Sequence, residues 1–204
     1  MNTLELFPLE VYTFDYDGDT DDLLERAIMS TRKLGGTFND TRIDVSQSSP
    51  DALKLFPEIE KFIYDSLSEI KDRVKLQCEG LKITTSWINR YRESAILPWH
   101  RHPMSAYSGA FFLNDRGGLT FKDPIIFRSN ESIMPFMDIE KTYNIDTEPG
   151  KLVIFPWWVE HGASIREGNA ERWTLSFNTM PYGSCNTKQY GYDSFLSSAT
   201  LEIK

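Results

Sequence analysis

The feature that most constrains this chain is a change of period at Leu81. Before it, apolar residues recur at helical spacing; after it, the chain breaks into short apolar and β-branched runs separated by turn residues. Residues 81–92 carry Ile83, Thr84, Thr85, Trp87, Ile88 and Tyr91, the composition of a strand. Residues 108–113 read as an apolar strand, Asn114-Asp115-Arg116-Gly117-Gly118 as a hairpin turn, and residues 119–122 as the return strand ended by Asp123-Pro124. Tyr143-Asn144-Ile145 is a further candidate. Glu148-Pro149-Gly150 turns into a buried strand over residues 151–155, and residues 172–178 form the last strong one. Many short strands in one half and helices in the other predict a mainly β fold, a sandwich or barrel braced by helices.

The N-terminal part supplies those helices. Residues 4–14 read as a short strand interrupted by Pro8, at an edge or a bend. Five aspartates and Gly18 in residues 15–22 make a loop with helix caps, lacking the spaced ligand pattern of a calcium loop. A helix is expected over residues 21–34, with Leu23, Leu24, Ala27, Ile28 and Leu34 on one side and Gly35-Gly36 as its stop. Residues 37–50 are polar and loop-like. A second helix over residues 57–76 sets Ile59, Phe62, Ile63, Leu67, Ile70 and Val74 at helical spacing. Both are expected to pack against a sheet, and neither presents chemistry. The length predicts one domain, 1–204, divided into helical support (1–80), a β core (81–182) and a C-terminal tail (183–204).

Charge and cysteine content narrow the function. A net charge of -8 disfavours binding to nucleic acid or to an anionic membrane, both of which reward a basic surface. Arg90, Arg92, Arg101, Arg116, Lys122 and Arg128 make the motif region locally basic, a weak hint of an anionic substrate beside the plainer reading of solubilising charge. Cys78 and Cys185 are too few for a disulfide framework and lack metal-type spacing. The N-terminus has no basic stretch followed by a long apolar one, and no apolar run approaches membrane-spanning length. A cytoplasmic protein is expected.

Chemistry concentrates in the three histidines. His100 and His102 stand one residue apart in Trp99-His100-Arg101-His102-Pro103, and His161 closes Phe155-Pro156-Trp157-Trp158-Val159-Glu160-His161. In an extended strand, residues i and i+2 share a face, so His100 and His102 can converge on a metal; the plainer reading is a surface or satisfied pair. Glu160 would point away from the site in an extended chain. In residues 172–178, Arg172, Thr174 and Ser176 share one face, while Trp173, Leu175 and Phe177 share the other. A guanidinium and hydroxyls on an inward face are costly to bury alone, and make sense as a clamp for a carboxylate. Asn89 and Tyr91 share a face just before the histidines, as ligand contacts or ordinary rim residues. Trp99, Trp157 and Trp158 flank the histidine blocks, to pack or to exclude water.

Taken in order, His-x-His-Pro, Ser108-Gly109-Ala110-Phe111, Asp123-Pro124, Phe155-Pro156 with His161, and Arg172-Trp173-Thr174-Leu175-Ser176-Phe177-Asn178 resemble the iron(II)/2-oxoglutarate oxygenases. The likeness is to a branch familiar from marine bacteria and cyanobacterial phages, and spans roughly residues 81–182. It implies a double-stranded β-helix, a cupin-like jelly roll, with the metal at its mouth. It implies His100, His102 and His161 as iron ligands, Arg172 and Thr174 on the distal carboxylate of 2-oxoglutarate, and Tyr91 beside them, with Asn89 on the same face. Dioxygen would then split the cosubstrate to succinate and carbon dioxide while a C–H bond is hydroxylated. Such jelly rolls often pair as homodimers. The substrate, a small molecule or a peptide, is not named by any motif.

One position departs from the pattern. Most such enzymes have a carboxylate where His102 stands. A three-histidine site keeps the facial geometry; alternatively Asp123, or less readily Asp115, supplies the carboxylate. A three-histidine cupin-type dioxygenase or isomerase without 2-oxoglutarate, and a jelly-roll binding module without catalysis, are the competing readings.

Overall fold

Two antiparallel sheets and two helices make up the computed structural model, which describes residues 8–34, 45–47, 51–91, 97–114, 117–124, 142–163, 171–185 and 199–201. In chain order they are β1 (Tyr12–Asp15), α1 (Thr20–Leu34), β2 (Val45–Gln47), a 3₁₀ turn (Ala52–Leu55), α2 (Pro57–Arg73), β3 (Gly80–Tyr91), β4 (Leu97–His100), β5 (Tyr107–Phe112), β6 (Gly117–Lys122), β7 (Thr142–Thr147), β8 (Lys151–Pro156), β9 (His161–Ala163), β10 (Arg172–Cys185) and β11 (Ala199–Leu201). One sheet runs β1-β8-β5-β10-β3-β2, with β11 also paired to β10; the other runs β4-β9-β6-β7. This is the predicted jelly roll, with a larger and a smaller sheet facing each other.

Alternation along β10 decides how the layers stack. Trp173, Leu175 and Phe177 join a core with Leu23, Ala27, Ile59, Ile63, Leu67 and Ile70, so the helices cover the outer face of the larger sheet. The intervening residues point between the sheets. β8 divides in the same way: Leu152 and Ile154 belong to the helix-side core, while Val153 and Phe155 join Phe112, Leu119, Phe121 and Val159 between the sheets. A strand buried on both faces reads as a continuous apolar run rather than an alternation, and Leu152-Val153-Ile154-Phe155 is such a run.

The helix ends have local causes. Asp19 Oδ1 accepts from the amides of Asp21 (3.0 Å) and Asp22 (3.3 Å), which caps α1. α2 begins with Pro57, whose missing N–H costs nothing there. It stops at Arg73, three residues before the expected end. Lys75 takes a left-handed φ of 54° and donates to Asp72 O, while Leu76 N–H reaches back to Lys71 O at 2.9 Å. This is a helix stop in which lysine stands where glycine is usual, so no glycine signals it in the sequence.

Several expectations need correction. The first strand starts at Tyr12, not near residue 4; residues 8–11 precede it, and residues 1–7 lie outside the described part. Residues 45–47, read as loop, form β2 on the edge of β3. The helix stop at Gly35-Gly36 lies outside the described residues. The proposed hairpin at residues 114–118 does not exist as a pairing. β5 lies between β8 and β10, so both its edges are occupied, and its successor β6 crosses to the other sheet to pair with β7 and β9. Phe111 and Phe112, each fully buried on opposite faces, mark β5 as a central strand. Asp115 and Arg116 are outside the described residues. β10 runs on to Cys185, and β11 pairs with its end, so part of the expected tail joins the sheet.

Candidate metal and 2-oxoglutarate site

The histidines meet at one end of the space between the sheets. His100 ends β4 and pairs across the smaller sheet with His161 at the start of β9. His102 is not on a strand: it lies two residues past β4, in a loop fastened by its own N–H to Trp157 O at 3.1 Å. The shared strand face expected for His100 and His102 is therefore replaced by a turn of the chain, yet their rings still approach to 5.1 Å between centroids. The three ligand atoms all lie within 4.8 Å of one another.

Hydrogen bonds fix how these rings face. His100 Nδ1 is 2.8 Å from Pro98 O, and His161 Nδ1 is 3.0 Å from Val159 O. Each carbonyl can only accept, so each Nδ1 carries the proton and each Nε2 keeps its lone pair for a metal. His102 Nε2 and His161 Nε2 stand 3.2 Å apart. Two nitrogens bound to one ion at right angles, with bonds of about 2.1 Å, are separated by about 3 Å, so the donor set fits a single cation. Burial, reinforced by the neighbouring His100, pushes His102 down to about 4 and His161 down to about 3. Both imidazoles are neutral at pH 7, the form that binds metal. Phe155 packs on His161 at 4.3 Å between centroids, and Trp87 stacks on His102 at 6.0 Å with 26° between planes.

Among the described residues, no carboxylate belongs to the cluster. Asp123, the alternative ligand, is outside it, and Asp115 lies outside the described part. Glu160 is engaged elsewhere, with Lys122 at 2.8 Å and Arg101 at 3.4 Å, and Lys122 holds its carboxyl below the usual range. These ion pairs, with Arg90–Glu171, engage half of the locally basic set. Arg92, Arg116 and Arg128 are outside the described residues.

The far end of the same cavity is built by β3 and β10. Their register sets Arg172 opposite Tyr91, Thr174 opposite Asn89 and Ser176 opposite Trp87. All six line the cavity, and its described lining contains no carboxylate. Arg172 is 8% exposed, lies between the rings of Tyr91 (5.5 Å) and Phe112 (5.0 Å), and donates to Gly118 O at 3.1 Å. Burial raises the Tyr91 phenol, against a smaller opposing effect of Arg172, so Tyr91 stays a proton donor; Thr174 hydrogen-bonds to it. Asn89 Nδ2 donates to Ser176 Oγ (2.9 Å) and Thr174 Oγ1 (3.3 Å). Asn89 Oδ1 and Trp87 Nε1 are buried in the cavity wall with no protein partner. Unsatisfied polar atoms in a native wall mark a place where a ligand or water completes the bonds.

No curated protein matches the chain in sequence. The family described as "Putative 2OG-Fe(II) oxygenase" matches residues 85–178, from the cavity face of β3 to Asn178 on β10, with all three histidines and Arg172 inside. Residues 85–178 are a 2OG-Fe(II) oxygenase domain. The fold agrees. Similar solved structures include HygX from Streptomyces hygroscopicus with nickel and 2-oxoglutarate bound (12% identity, 85% of this chain and 83% of that chain, TM-score 0.60). A Pseudomonas putida prolyl-4-hydroxylase is 15% identical over 86% of this chain and 94% of its own, at TM-score 0.56. The carbocyclase SnoK from nogalamycin biosynthesis is 10% identical over 96% and 90%, at TM-score 0.65.

The cavity thus brings together the residues expected at the site: His100, His102, His161, Arg172, Thr174, Tyr91 and Asn89. Trp99, Trp157 and Trp158 do not line the cavity; each is about two-fifths exposed on the rim. Trp87 is the tryptophan in the wall. It precedes Asn89 by two residues on the same strand, so the alternation that selected Asn89 and Tyr91 also pointed to it.

Proposed function

We propose that His100, His102 and His161 hold the iron of this oxygenase, and that Arg172 receives the distal carboxylate of 2-oxoglutarate with Tyr91 and Thr174 beside it. The observation that carries this reading is the cavity with three clustered imidazoles at one end and a buried guanidinium at the other. The bound iron, 2-oxoglutarate and dioxygen supply the oxidation; the chain's residues place and shield it. Arg172 offers a bidentate donor set to a carboxylate, and Tyr91 adds a phenolic proton. Asn89 braces both hydroxyls on β10. Phe112, Phe155 and Leu119 keep the middle of the cavity apolar, which strengthens every polar contact made there. Three imidazoles would leave a bound divalent ion one unit more positive than two imidazoles and a carboxylate would.

The reaction proposed is hydroxylation of a substrate C–H bond, with succinate and carbon dioxide released. The substrate is a small molecule or peptide taken from solution. The acidic surface argues against nucleic acid. No described helix is long and apolar enough to cross a membrane, and the Cys78 thiol, which donates to Gly80 O at 3.3 Å, suits a reducing cytoplasm. The test is calorimetric titration of 2-oxoglutarate into protein loaded with manganese in place of iron. Wild type binds at about one equivalent, His161→Ala requires far more metal, and Arg172→Ala binds metal but loses 2-oxoglutarate. Wild-type protein that takes up metal and ignores 2-oxoglutarate would refute the reading.

A further inference from the structure

His100 and His161 sit on β4 and β9, which pair directly, so the sheet itself sets where these two rings stand. His102 lies on neither strand. Its place is set by residues 101–106, the loop that carries the chain from β4 to β5. The top of that loop is open to solvent. Pro103 and Met104 are exposed, and Met104 holds a left-handed φ of 63°, an uncommon conformation for any residue but glycine. Such a loop must be held from its base.

The base is held twice. Trp157 bonds both feet of the loop through its backbone: its carbonyl accepts from His102 N–H at 3.1 Å, and its N–H donates to Ala106 O at 3.2 Å. The second hold is built from two buried hydroxyls, Ser105 and Thr179, at the point where β5 leaves β10. The ladder between those strands ends at Ser108 and Asn178. Beyond it, Ala106 N–H donates to Thr179 O at 2.6 Å, and side chains take over the remaining backbone groups. Thr179 Oγ1 accepts from Tyr107 N–H at 3.2 Å and donates to Tyr107 O at 2.8 Å. Ser105 Oγ accepts from Thr179 N–H at 3.3 Å, and its own proton has Tyr107 O at 2.8 Å and Thr179 O at 3.2 Å as acceptors. The two residues thus bond each other's neighbourhoods reciprocally. Hydrogen bonds buried in this way are costly to lose, because the groups left behind have no water to turn to.

We propose that Ser105 and Thr179 are positioning residues of the metal centre: their hydroxyls clasp the loop to β10 and so hold His102 Nε2 at 3.2 Å from His161 Nε2. This rests on the reading that the three histidines hold the metal. Neither residue lines the cavity, and both act through His102. His100 and His161 are placed by strand pairing, outside the clasp. Loss of the clasp therefore removes the contribution of His102 to metal binding and no more.

The test is cobalt(II) titration of the purified protein followed by its visible absorption, a readout that needs no turnover. Thr179→Val keeps the shape of the side chain and removes the hydroxyl. It is expected to weaken cobalt binding about 10-fold and to move the visible band toward that of His102→Ala. Thr179→Ser keeps the hydroxyl and is expected to restore wild-type binding and band. The deciding comparison is a double-mutant cycle. A residue that acts through His102 has nothing left to act on in His102→Ala, so adding Thr179→Val to that variant is expected to change cobalt affinity by less than about two-fold. A merely structural role would add its cost in both backgrounds. Thermal melts of the metal-free variants report folding, and Ser105→Ala carries the same comparison if Thr179→Val does not fold. Wild-type cobalt binding in Thr179→Val, equal losses with and without His102, or failure of both hydroxyl variants to fold overturns the proposal. If His102→Ala itself binds cobalt like wild type, the assignment of His102 as a ligand fails; if it weakens cobalt while the hydroxyl variants do not, only the positioning role falls.

Discussion

The two ends of the cavity are built by different means. At the Arg172 end, side chains hang from two long strands in continuous register, so each position is set by backbone pairing over many residues. At the histidine end, one histidine closes a four-residue strand, one opens a three-residue strand, and one sits in a loop between them. Long paired strands give a rigid wall, whereas short strands leave each ring to be oriented by its own hydrogen bond. The carboxylate clamp is therefore expected to tolerate damage locally, while the metal end depends on each bond separately.

The sharpest way to break this contrast is at its metal end. His161→Ala removes a buried ligand opposite His100, and should reduce cobalt or manganese affinity by more than about 100-fold and abolish iron-dependent release of succinate. Metal analysis and a succinate assay check it. At the other end, Arg172→Ala should raise the 2-oxoglutarate Kd by about 100-fold, since losing one partner of a buried charge pair costs several kcal/mol. Metal affinity should stay within a few-fold, because Arg172 is set against Tyr91, Phe112 and the Gly118 carbonyl and is not among the clustered donors. Joint loss of both affinities in Arg172→Ala would show that the ends are not independent.

Acidity separates the ends more gently. His102 and His161 titrate well below an unfolded histidine, so between about pH 6.5 and 4 the unfolded chain binds protons that the folded chain refuses. Stability of the metal-free protein is thus fully present above pH 6.5 and lost as pH falls through that window. Urea midpoints at pH 7, 5.5 and 4.5 check it. The double variant His102→Ala/His161→Ala should flatten the fall above pH 4.5, where the lowered carboxyls Glu10, Glu58 and Glu160 do not yet contribute. An unchanged slope in that variant would place the acid sensitivity outside the site.

The same contrast explains what could be read from sequence. Arg172, Thr174, Asn89 and Tyr91 were legible because period-two alternation on a long strand assigns faces without further information. His102 was legible as a candidate ligand only through its neighbour in sequence, and for a geometric reason that the structure replaces: the chain turns after His100 instead of continuing extended. The crossing from β5 to β6 was hidden because Asn114-Asp115-Arg116-Gly117-Gly118 has the composition of a tight turn, and composition does not say which sheet receives the next strand.

The rim offers the smallest effect and the cleanest control. Trp157 stands in the histidine-rich block, and by sequence neighbourhood alone it would be expected to shield the metal. Its part in the structure is carried by its backbone: its N–H donates to Ala106 O at 3.2 Å and its carbonyl accepts from His102 N–H at 3.1 Å. Both bonds survive truncation of the indole, which is 41% exposed and absent from the cavity wall. Trp157→Ala should therefore leave metal and 2-oxoglutarate affinities within about two-fold and cost less than about 1 kcal/mol of stability, as exposed substitutions do. Trp87→Ala should do more, because it removes the ring stacked on His102 in the cavity wall. Calorimetry on the pair checks this, and a larger loss in Trp157→Ala than in Trp87→Ala would mean that the rim, not the strand-built wall, shields the site.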